Sequence, residues 1–414
     1  MDYRVFPPEE IIEEGVIELP LSKSISNRAL ILAALTEGAP YPPRLADCTD
    51  TQALATALRQ GPAGEVNVGG AGTAMRFLAA YYAATPGADI LLDGDERMRQ
   101  RPIRQLVDAL RACGADMEYA GEEGFPPLKI KGKRLKGGRV TVDATVSSQF
   151  VSALLMVAPT MEEGLTLELD GEPVSLPYIL LTAGMMEDRG AEIDRSPLTI
   201  SVAPGPYRAP ASDDAEADWS AAAFFYEITA LSAGWLTLRD LRTDSRQGDR
   251  RAAEYFERLG VITAPSEEIE GAVDLQPSPD LFGRLEADLS DTPDLAPALV
   301  VTASLLGVPF RLTGLQSLGI KECDRLQALV EEMEKVGAKV EKIRDFGLEW
   351  DGSRHPVFEV PVFDSRGDHR MAMALAPAAV YLPGAVVRGA ETVAKSFPAY
   401  WDALRALGFS LEEV

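Results

Sequence analysis

A glycine that closes an apolar stretch recurs every 70 to 77 residues along this chain of 414 residues. After each such glycine a strand-like run begins, as in the segment ALRACGADMEY. Glycine in the left-handed conformation is the usual stop of a helix, so each position predicts a helix end. The five glycines are Gly114, Gly190, Gly260, Gly337 and Gly408. A fixed interval of this length indicates an internal repeat of mixed helix and strand.

The helix starts repeat as well. Each is a short polar or glycine-containing block before a stretch rich in alanine and leucine, and alternating runs such as Leu165–Leu169 lie between them. The six blocks are Ser22-Lys23-Ser24, Gly70-Ala71-Gly72-Thr73, Ser147-Ser148-Gln149, Asp218-Trp219-Ser220, Asp291-Thr292-Pro293-Asp294 and Gly367-Asp368-His369. We predict six mixed α/β units, three per domain, with apolar helices buried against sheet. A doubly wound parallel sheet fits less well, because two helices fall in each unit.

The first block favours binding of an anion. Ser22 or Ser24 can cap the helix, and the free N–H groups at a helix start attract negative charge. Lys23 and Arg28 stand at the same end and suit phosphate or carboxylate. The alternative is a plain helix cap with solvated cations.

Composition narrows the ligand class. A net charge of −24 argues against nucleic acid or an anionic membrane as partner, and it favours an anionic small ligand for cations that gather at helix starts. Three cysteines without a CxxC pair fit a reducing cytoplasm, and the presence of only two histidines argues against a histidine metal cluster. No apolar run reaches the length of a membrane helix, and the N-terminus resembles neither a signal nor a transit peptide.

Further motifs add charge or glycine at helix starts. Each has a plain alternative: a solvated loop, a tight turn, an ion-paired surface helix or a structural histidine. They are Leu92–Ile103, with three arginines before Pro102; Gly70–Arg76, with Thr73 as a possible cap; Ile320–Leu326; Asp368–Ala374; and Lys395–Pro398.

Together these motifs resemble a known family. In chain order LPLSKSISNRAL, GGAGTAMR, DERMRQRPI, SSQF, SLPYI, DTPD, IKECDR, GDHRMAM and AKSFP resemble the 5-enolpyruvylshikimate-3-phosphate synthase family, with similar spacing from about Leu19 to Phe397. Such enzymes move the enolpyruvyl group of phosphoenolpyruvate to the 5-hydroxyl of shikimate 3-phosphate and release phosphate. The resemblance therefore implies a cytoplasmic, monomeric transferase of the shikimate pathway without metal or organic cofactor.

The resemblance also implies an architecture. The family fold is a two-domain inside-out α/β barrel built from six βαβαββ repeats, three per domain. One domain would comprise residues 20–216, with the shikimate 3-phosphate-binding repeats. The other would comprise residues 1–19 and 217–414 and carry the acid and base carboxylates. The active site would lie in the cleft between them.

Site residues follow by motif match. The catalytic residues would be Asp294 as the base, Glu322 as the acid, Lys23 and His369. Lys321 and His369 would support the charge that develops, and Lys23 would touch both substrates. Shikimate 3-phosphate would contact Lys23, Ser24, Arg28, Ser147, Ser148, Gln149, Ser175, Asp294 and Lys321. Phosphoenolpyruvate would contact Lys23, Gly72, Arg101, Gln149, Arg325, Arg370 and Lys395.

Some positions depart from the family pattern. Gly70, Ser317 and Gly367 stand where asparagine is common, and Phe77 stands where proline is usual. These changes bear on affinity and on sensitivity to the inhibitor glyphosate more than on the reaction. Cys323, beside the proposed acid, is a small filler and not a nucleophile.

Two rival functions remain at this stage. A sister enolpyruvyl transferase acts on UDP-N-acetylglucosamine, but it uses a cysteine near the region matched to 97–101, and this chain has none there. A non-catalytic scaffold would need to lose a catalytic position. Asp294, Glu322, Lys23 and Lys395 are all present.

Overall fold

The chain forms two compact units. The computed structural model describes residues 1–143, 145, 147–171, 173–210 and 215–414. The discontinuous unit comprises Met1–Pro20 and Glu216–Val414, and the inserted unit comprises Leu21–Ala215. The domain limits expected from the sequence, 20–216 against 1–19 with 217–414, place each break one residue away from these.

Strands and helices alternate along both units. The strands are β1 (Asp2–Phe6), β2 (Gly15–Glu18), β3 (Ala63–Asn67), β4 (Asp89–Asp93), β5 (Asp116–Tyr119), β6 (Leu128–Lys131), β7 (Gly138–Asp143), β8 (Leu165–Asp170), β9 (Ile193–Ser196), β10 (Thr199–Val202), β11 (Leu236–Arg239), β12 (Val261–Pro265), β13 (Val273–Pro277), β14 (Leu285–Asp288), β15 (Phe310–Thr313), β16 (Glu341–Ile343), β17 (Gly347–Trp350), β18 (Val362–Asp364), β19 (Ala385–Arg388) and β20 (Ser410–Glu413). The α-helices are α1 (Lys23–Ala34), α2 (Thr49–Gln60), α3 (Gly72–Ala84), α4 (Arg104–Ala112), α5 (Ser148–Val157), α6 (Leu176–Glu187), α7 (Trp219–Ser232), α8 (Ala252–Glu257), α9 (Ala296–Leu306), α10 (Arg325–Glu334), α11 (His369–Leu375) and α12 (Tyr400–Ala406).

Within its described residues the inserted unit holds two four-stranded sheets of one topology, β3-β4-β6-β5 and β7-β8-β10-β9. In each sheet the first two strands are parallel and the other pairings are antiparallel. Two helices fall between the strands, so each sheet closes a βαβαββ unit. Leu165 and Leu167 of β8 point into the core, as the alternation in the sequence predicts.

The discontinuous unit repeats this topology three times, in the sheets β2-β11-β13-β12, β14-β15-β17-β16 and β18-β19-β1-β20. Its first sheet needs β2, which pairs in parallel with β11 beyond the inserted unit. Its last sheet places β1 between β19 and β20. Both N-terminal strands therefore complete sheets formed mostly by the second half of the chain.

The predicted sixth unit has a different form. Residues 21–62, all of which the structure describes, contain α1 and α2 but no named strand. The connection between these helices includes the segment APYPPR, residues 39–44. Proline has no backbone N–H to donate to a sheet, and the segment has no apolar alternation. The prediction of six complete βαβαββ units is therefore corrected to five within the described residues.

Glycine ends the predicted helices as expected. The φ angles of Gly114, Gly190, Gly260, Gly337 and Gly408 lie between 82° and 98°. This left-handed conformation strains other residues, and it confirms the helix stops on which the repeat was recognised. Each unit has its own apolar core, and in the described residues no helix is both long and apolar enough to cross a membrane.

Candidate active site

The predicted blocks lie at helix starts. The side chains of Ser22, Ser147, Asp218 and Asp368 cap α1, α5, α7 and α11 by accepting a backbone N–H. Asp294 lies in the 3₁₀ turn Pro293–Leu295 that leads into α9. The block at Gly70–Thr73 opens α3 without a side-chain cap. Thr73 instead accepts a hydrogen bond from Gln149 Nε2 at 3.2 Å, so its predicted capping role is wrong.

Arg28 is a buried cation without a carboxylate partner among the residues that the structure describes. Its guanidinium donates to Thr182 Oγ1 at 2.6 Å, to Ser152 Oγ at 3.2 Å and to the carbonyls of Ser24 and Tyr178. Burial lowers the pKa of Arg28 to about 10, so it stays charged at neutral pH. A charge held by neutral groups alone favours a nearby anionic ligand.

Gly72 leaves room for two guanidinium groups at the start of α3. A Cβ at this position would lie 2.6 Å from Arg76 Nη1 and 2.8 Å from Arg101 Nη1. Arg76 and Arg101 are 6% and 9% exposed, and Arg76 also donates to the Gly72 carbonyl at 2.8 Å. The glycine-rich block thus allows Arg101, a predicted site residue, and Arg76, which is not among the predicted site residues, to lie at one helix end.

The other predicted residues of the inserted unit also lie at helix starts. Lys23 forms an ion pair with buried Asp50, at 3.5 Å between Nζ and Oδ2. Ser148 begins α5 next to Gln149. Ser175 precedes α6 with φ of 56°, a left-handed conformation that is unusual for serine. Such strain is typical of functional positions.

Arg325 is the centre of the cluster in the discontinuous unit. Its side chain is 2% exposed and donates to Asp368 Oδ2 at 2.7 Å, to Asp294 Oδ1 at 2.9 Å and to Glu322 Oε2 at 3.1 Å. Burial alone lowers the pKa of Arg325, but the three carboxylates outweigh it and hold the pKa above its usual value. One guanidinium therefore fixes both proposed acid–base carboxylates.

Asp294 is surrounded by cations. Its carboxylate lies 2.9 Å from Arg325 Nη1, 3.0 Å from Arg370 Nη2 and 3.5 Å from Lys321 Nζ. Burial acts to raise the pKa of Asp294, yet these charges hold it well below its usual range. The pKa of Lys321 is lowered by burial, with Asp294 opposing that shift.

Glu322 and its neighbours complete this cluster. Lys395 Nζ lies 3.0 Å from Glu322 Oε1, and the buried His369 ring lies 3.7 Å from Asp368. Burial, aided by Asp368, raises the pKa of the Cys323 thiol to about 12, so it is a poor nucleophile. The predicted residues Asp294, Lys321, Glu322, Arg325, Arg370 and Lys395 therefore share one network.

Several residues that hold these side chains in place are not among the predicted site residues. Asp368 lies in a predicted helix-start block and makes a two-point contact with Arg325. Thr182 and Ser152 fix Arg28, and Arg76 lies beside Gly72. Arg76 stood inside a quoted motif and could have been found there. The contacts of Thr182 and Ser152 arise from helix packing across more than 120 residues and had no local signal.

Two repeated α/β units that present buried cations and paired carboxylates at helix starts define a two-domain enzyme for small polyanionic substrates. The family described as EPSP synthase (3-phosphoshikimate 1-carboxyvinyltransferase) matches residues 60–404 of the chain. A Bacteroides fragilis protein named 3-phosphoshikimate 1-carboxyvinyltransferase is 48% identical and covers 100% of this chain and 99% of the relative. One of that name from Mannheimia succiniciproducens is 35% identical over 95% of this chain and 96% of the relative.

Solved structures agree in fold. EPSP synthase from Acinetobacter baumannii superposes with a TM-score of 0.79 at 22% identity, over 100% of both chains. The chain belongs to the EPSP synthase family. The family and the names of its relatives support the predicted enolpyruvyl transfer in the shikimate pathway, and that prediction is confirmed.

Proposed function

We propose that Asp294 and Glu322 carry out the enolpyruvyl transfer from phosphoenolpyruvate to the 5-hydroxyl of shikimate 3-phosphate, by addition and elimination. The observation that carries the proposal is the joint anchoring of Asp294 and Glu322 by Arg325. The reaction needs one group to take the hydroxyl proton and one to protonate the methylene carbon. Asp294 and Glu322, which both bind Arg325, can supply these two groups.

In the proposed addition step, the hydroxyl proton passes to Asp294 while the sugar oxygen bonds to C2 of phosphoenolpyruvate. The methylene carbon takes a proton from Glu322. In the elimination, Glu322 takes a proton back from that carbon, now a methyl group, while the C2–O bond to phosphate breaks. The leaving phosphate takes the proton that Asp294 holds. Lys321 and His369 support the charge that develops.

Asp294 gains basicity when the substrates bind. In the structure Arg370, Lys321 and Arg325 hold the pKa of Asp294 well below its usual range, which makes it a weak base. Phosphates and carboxylates bound to those cations compensate their charge and raise the proton affinity of Asp294. The base is therefore expected to become effective only in the loaded site.

The remaining predicted residues bind the substrates. We propose that shikimate 3-phosphate contacts the helix starts and Arg28, and that phosphoenolpyruvate contacts Gly72 and the cations. The first set is Lys23, Ser24, Arg28, Ser147, Ser148, Gln149, Ser175, Asp294 and Lys321. The second set is Lys23, Gly72, Arg101, Gln149, Arg325, Arg370 and Lys395. Buried Arg28 and the strained backbone of Ser175 support these assignments.

An assay of phosphate release tests the activity. With no added metal or nucleotide, we expect phosphate to be released from phosphoenolpyruvate only when shikimate 3-phosphate is present. UDP-N-acetylglucosamine serves as the matched acceptor of the rival reaction. Equal release with that acceptor, or none with shikimate 3-phosphate, would overturn the proposal.

Arg101→Ala should separate binding from chemistry. Loss of a charge-assisted contact to phosphoenolpyruvate costs about 1.5–3 kcal/mol, which corresponds to a KM for that substrate about 10- to 100-fold higher. We expect kcat and the KM for shikimate 3-phosphate to change much less. Exposed Arg99, which pairs with Asp93, supplies the control variant Arg99→Ala. A large fall in kcat with unchanged KM would contradict the binding role.

We further propose that α1 and α2 are a reduced sixth copy of the repeat, so that each domain has three copies arranged as an inside-out α/β barrel. The recurrence of one strand order in five sheets supports this. We also propose a monomeric enzyme in the cytoplasm. Light scattering on the purified protein would test the monomer, with a dimer mass as the contrary result.

A further inference from the structure

Asp249 is a buried carboxylate that the reaction scheme above does not use. It lies in the 3₁₀ turn Gly248–Arg251, and its side chain is fully buried. Ser220, at the start of α7, donates its hydroxyl to Asp249 Oδ2. In the part of the chain that the structure describes, no hydrogen bond reaches Oδ1. A buried carboxylate oxygen without a hydrogen bond is costly, so this side chain calls for an explanation.

The turn that carries Asp249 is firmly fixed to the start of α7. Gln247 donates to the Ala217 carbonyl at 2.8 Å and to Glu216 Oε1 at 2.9 Å, and it accepts from the Trp219 backbone N–H at 3.2 Å. The Trp219 indole donates to the Arg242 carbonyl at 3.0 Å. These contacts limit the freedom of Asp249 to move toward solvent.

Asp249 interacts with the reacting cluster through charge. Helix α7, whose Ser220 holds Asp249, also packs against the turn that carries Asp294 and against α11, which carries Arg370. Within this packing Arg370 attracts Asp249, while Asp294 and Asp218 repel it. These charges come from α11, from the turn before α9 and from the cap of α7, and Ser220 is its hydrogen-bond donor. Burial first, and then Asp294, raise the pKa of Asp249 to about 6. Asp249 is thus ionised in the neutral range and loses its charge just below it.

The cluster without Asp249 has an excess of positive charge. Its cations are Lys321, Arg325, Arg370 and Lys395, and its carboxylates are Asp294, Glu322 and Asp368. Asp249 supplies a fourth negative charge. A like charge near Asp294 makes that carboxylate a stronger base, and partial neutralisation of Arg370 acts in the same direction.

We propose that Asp249 is a positioning residue for enolpyruvyl transfer, whose negative charge balances Arg370 and keeps Asp294 able to accept the substrate proton. The proposal rests on the role of Asp294 proposed above. It predicts that Asp249 acts mainly on kcat, with only a small effect on the binding of either substrate.

Asp249→Asn tests the charge with little change in shape. At pH 8 we expect kcat to fall about 10-fold or more, with both KM values within about threefold of the parent enzyme. The ratio of parent to variant rates should approach 1 as the pH falls toward 5, because Asp249 is then protonated in the parent too. The substrate phosphates titrate in this range in both enzymes, so the ratio cancels their effect. A ratio independent of pH, or unchanged kcat, would overturn the proposal.

Two further variants keep the test decisive. Glu332→Gln makes the same change at a buried carboxylate that pairs with Lys335, outside the cluster, and should leave both rate and pH profile unchanged. Ser220→Ala removes the hydrogen bond that favours ionised Asp249, so its rate should match the parent near pH 8.5 and fall below it near pH 6 to 7. If Asp249→Asn does not fold, a parent-like profile in Ser220→Ala refutes the proposal.

The test separates this inference from the proposed role of Asp294. Asp294→Asn should lose turnover at every pH, whatever Asp249 does. An active Asp294→Asn enzyme would refute the proposed base itself. An inactive Asp294→Asn enzyme with a pH-independent Asp249→Asn ratio would refute only the role of Asp249.

Discussion

Glu322→Gln should reduce kcat by about 10²- to 10⁴-fold while substrate binding changes much less. Glutamine keeps the size of the side chain and can still accept a hydrogen bond from Arg325 or Lys395. It cannot carry a proton to the methylene carbon. Steady-state kinetics with each substrate varied in turn, at one pH, give the required separation of kcat from KM.

Arg101→Ala should show the opposite pattern to Glu322→Gln, because it should mainly raise the KM for phosphoenolpyruvate and change kcat much less.

A double variant, Glu322→Gln with Asp294→Asn, tests whether the carboxylates act as a pair. Both are fixed by Arg325, so we expect the double variant to lose less than the product of the single effects. Near-normal turnover in Glu322→Gln, with binding of phosphoenolpyruvate lost, would mean that Glu322 only positions its cationic neighbours.

The sequence predicted what local structure determines. Helix stops at Gly114 and Gly190, and helix starts at Ser22 and Asp368, depend on a few adjacent residues, so their signals are visible in the chain. The repeat interval and the ordered motifs then indicated the family. The missing strands between α1 and α2 were not anticipated, because the repeat suggested more regularity than the proline-rich segment allows.

The site network could be predicted only in part. Arg325 meets Asp294 and Asp368 across 31 and 43 residues of sequence, and those contacts depend on how α10, α11 and the turn before α9 pack. Residue type and motif match indicated which charges matter. They did not show that one guanidinium joins three carboxylates, nor that the charge of Asp294 acts on Asp249. Such convergence is a property of tertiary packing.

Arg325→Met should destabilise the discontinuous unit strongly. Methionine replaces the arginine by an unbranched apolar side chain. Asp368 then stays fully buried without its main partner. Removing one member of a buried ion pair typically costs about 3–5 kcal/mol, because the remaining charge stays unpaired. For a unit of this size that corresponds to a fall in Tm of about 6–20 °C by scanning calorimetry.

The exposed pair Arg311–Glu349 supplies a matched control for this loss of stability. Arg311→Met makes the same substitution at a solvent-exposed position. It should lower the free energy of unfolding by less than about 1 kcal/mol. Adding Asp368→Asn to Arg325→Met removes the orphaned charge and should restore part of the Tm, because the two residues are coupled. An unchanged Tm in Arg325→Met, or a double variant whose losses simply add, would show that Arg325 does not hold the carboxylates together. In that case the anchoring of Asp294 and Glu322 must come from Arg370, Lys321 and Lys395, which contact the same two carboxylates.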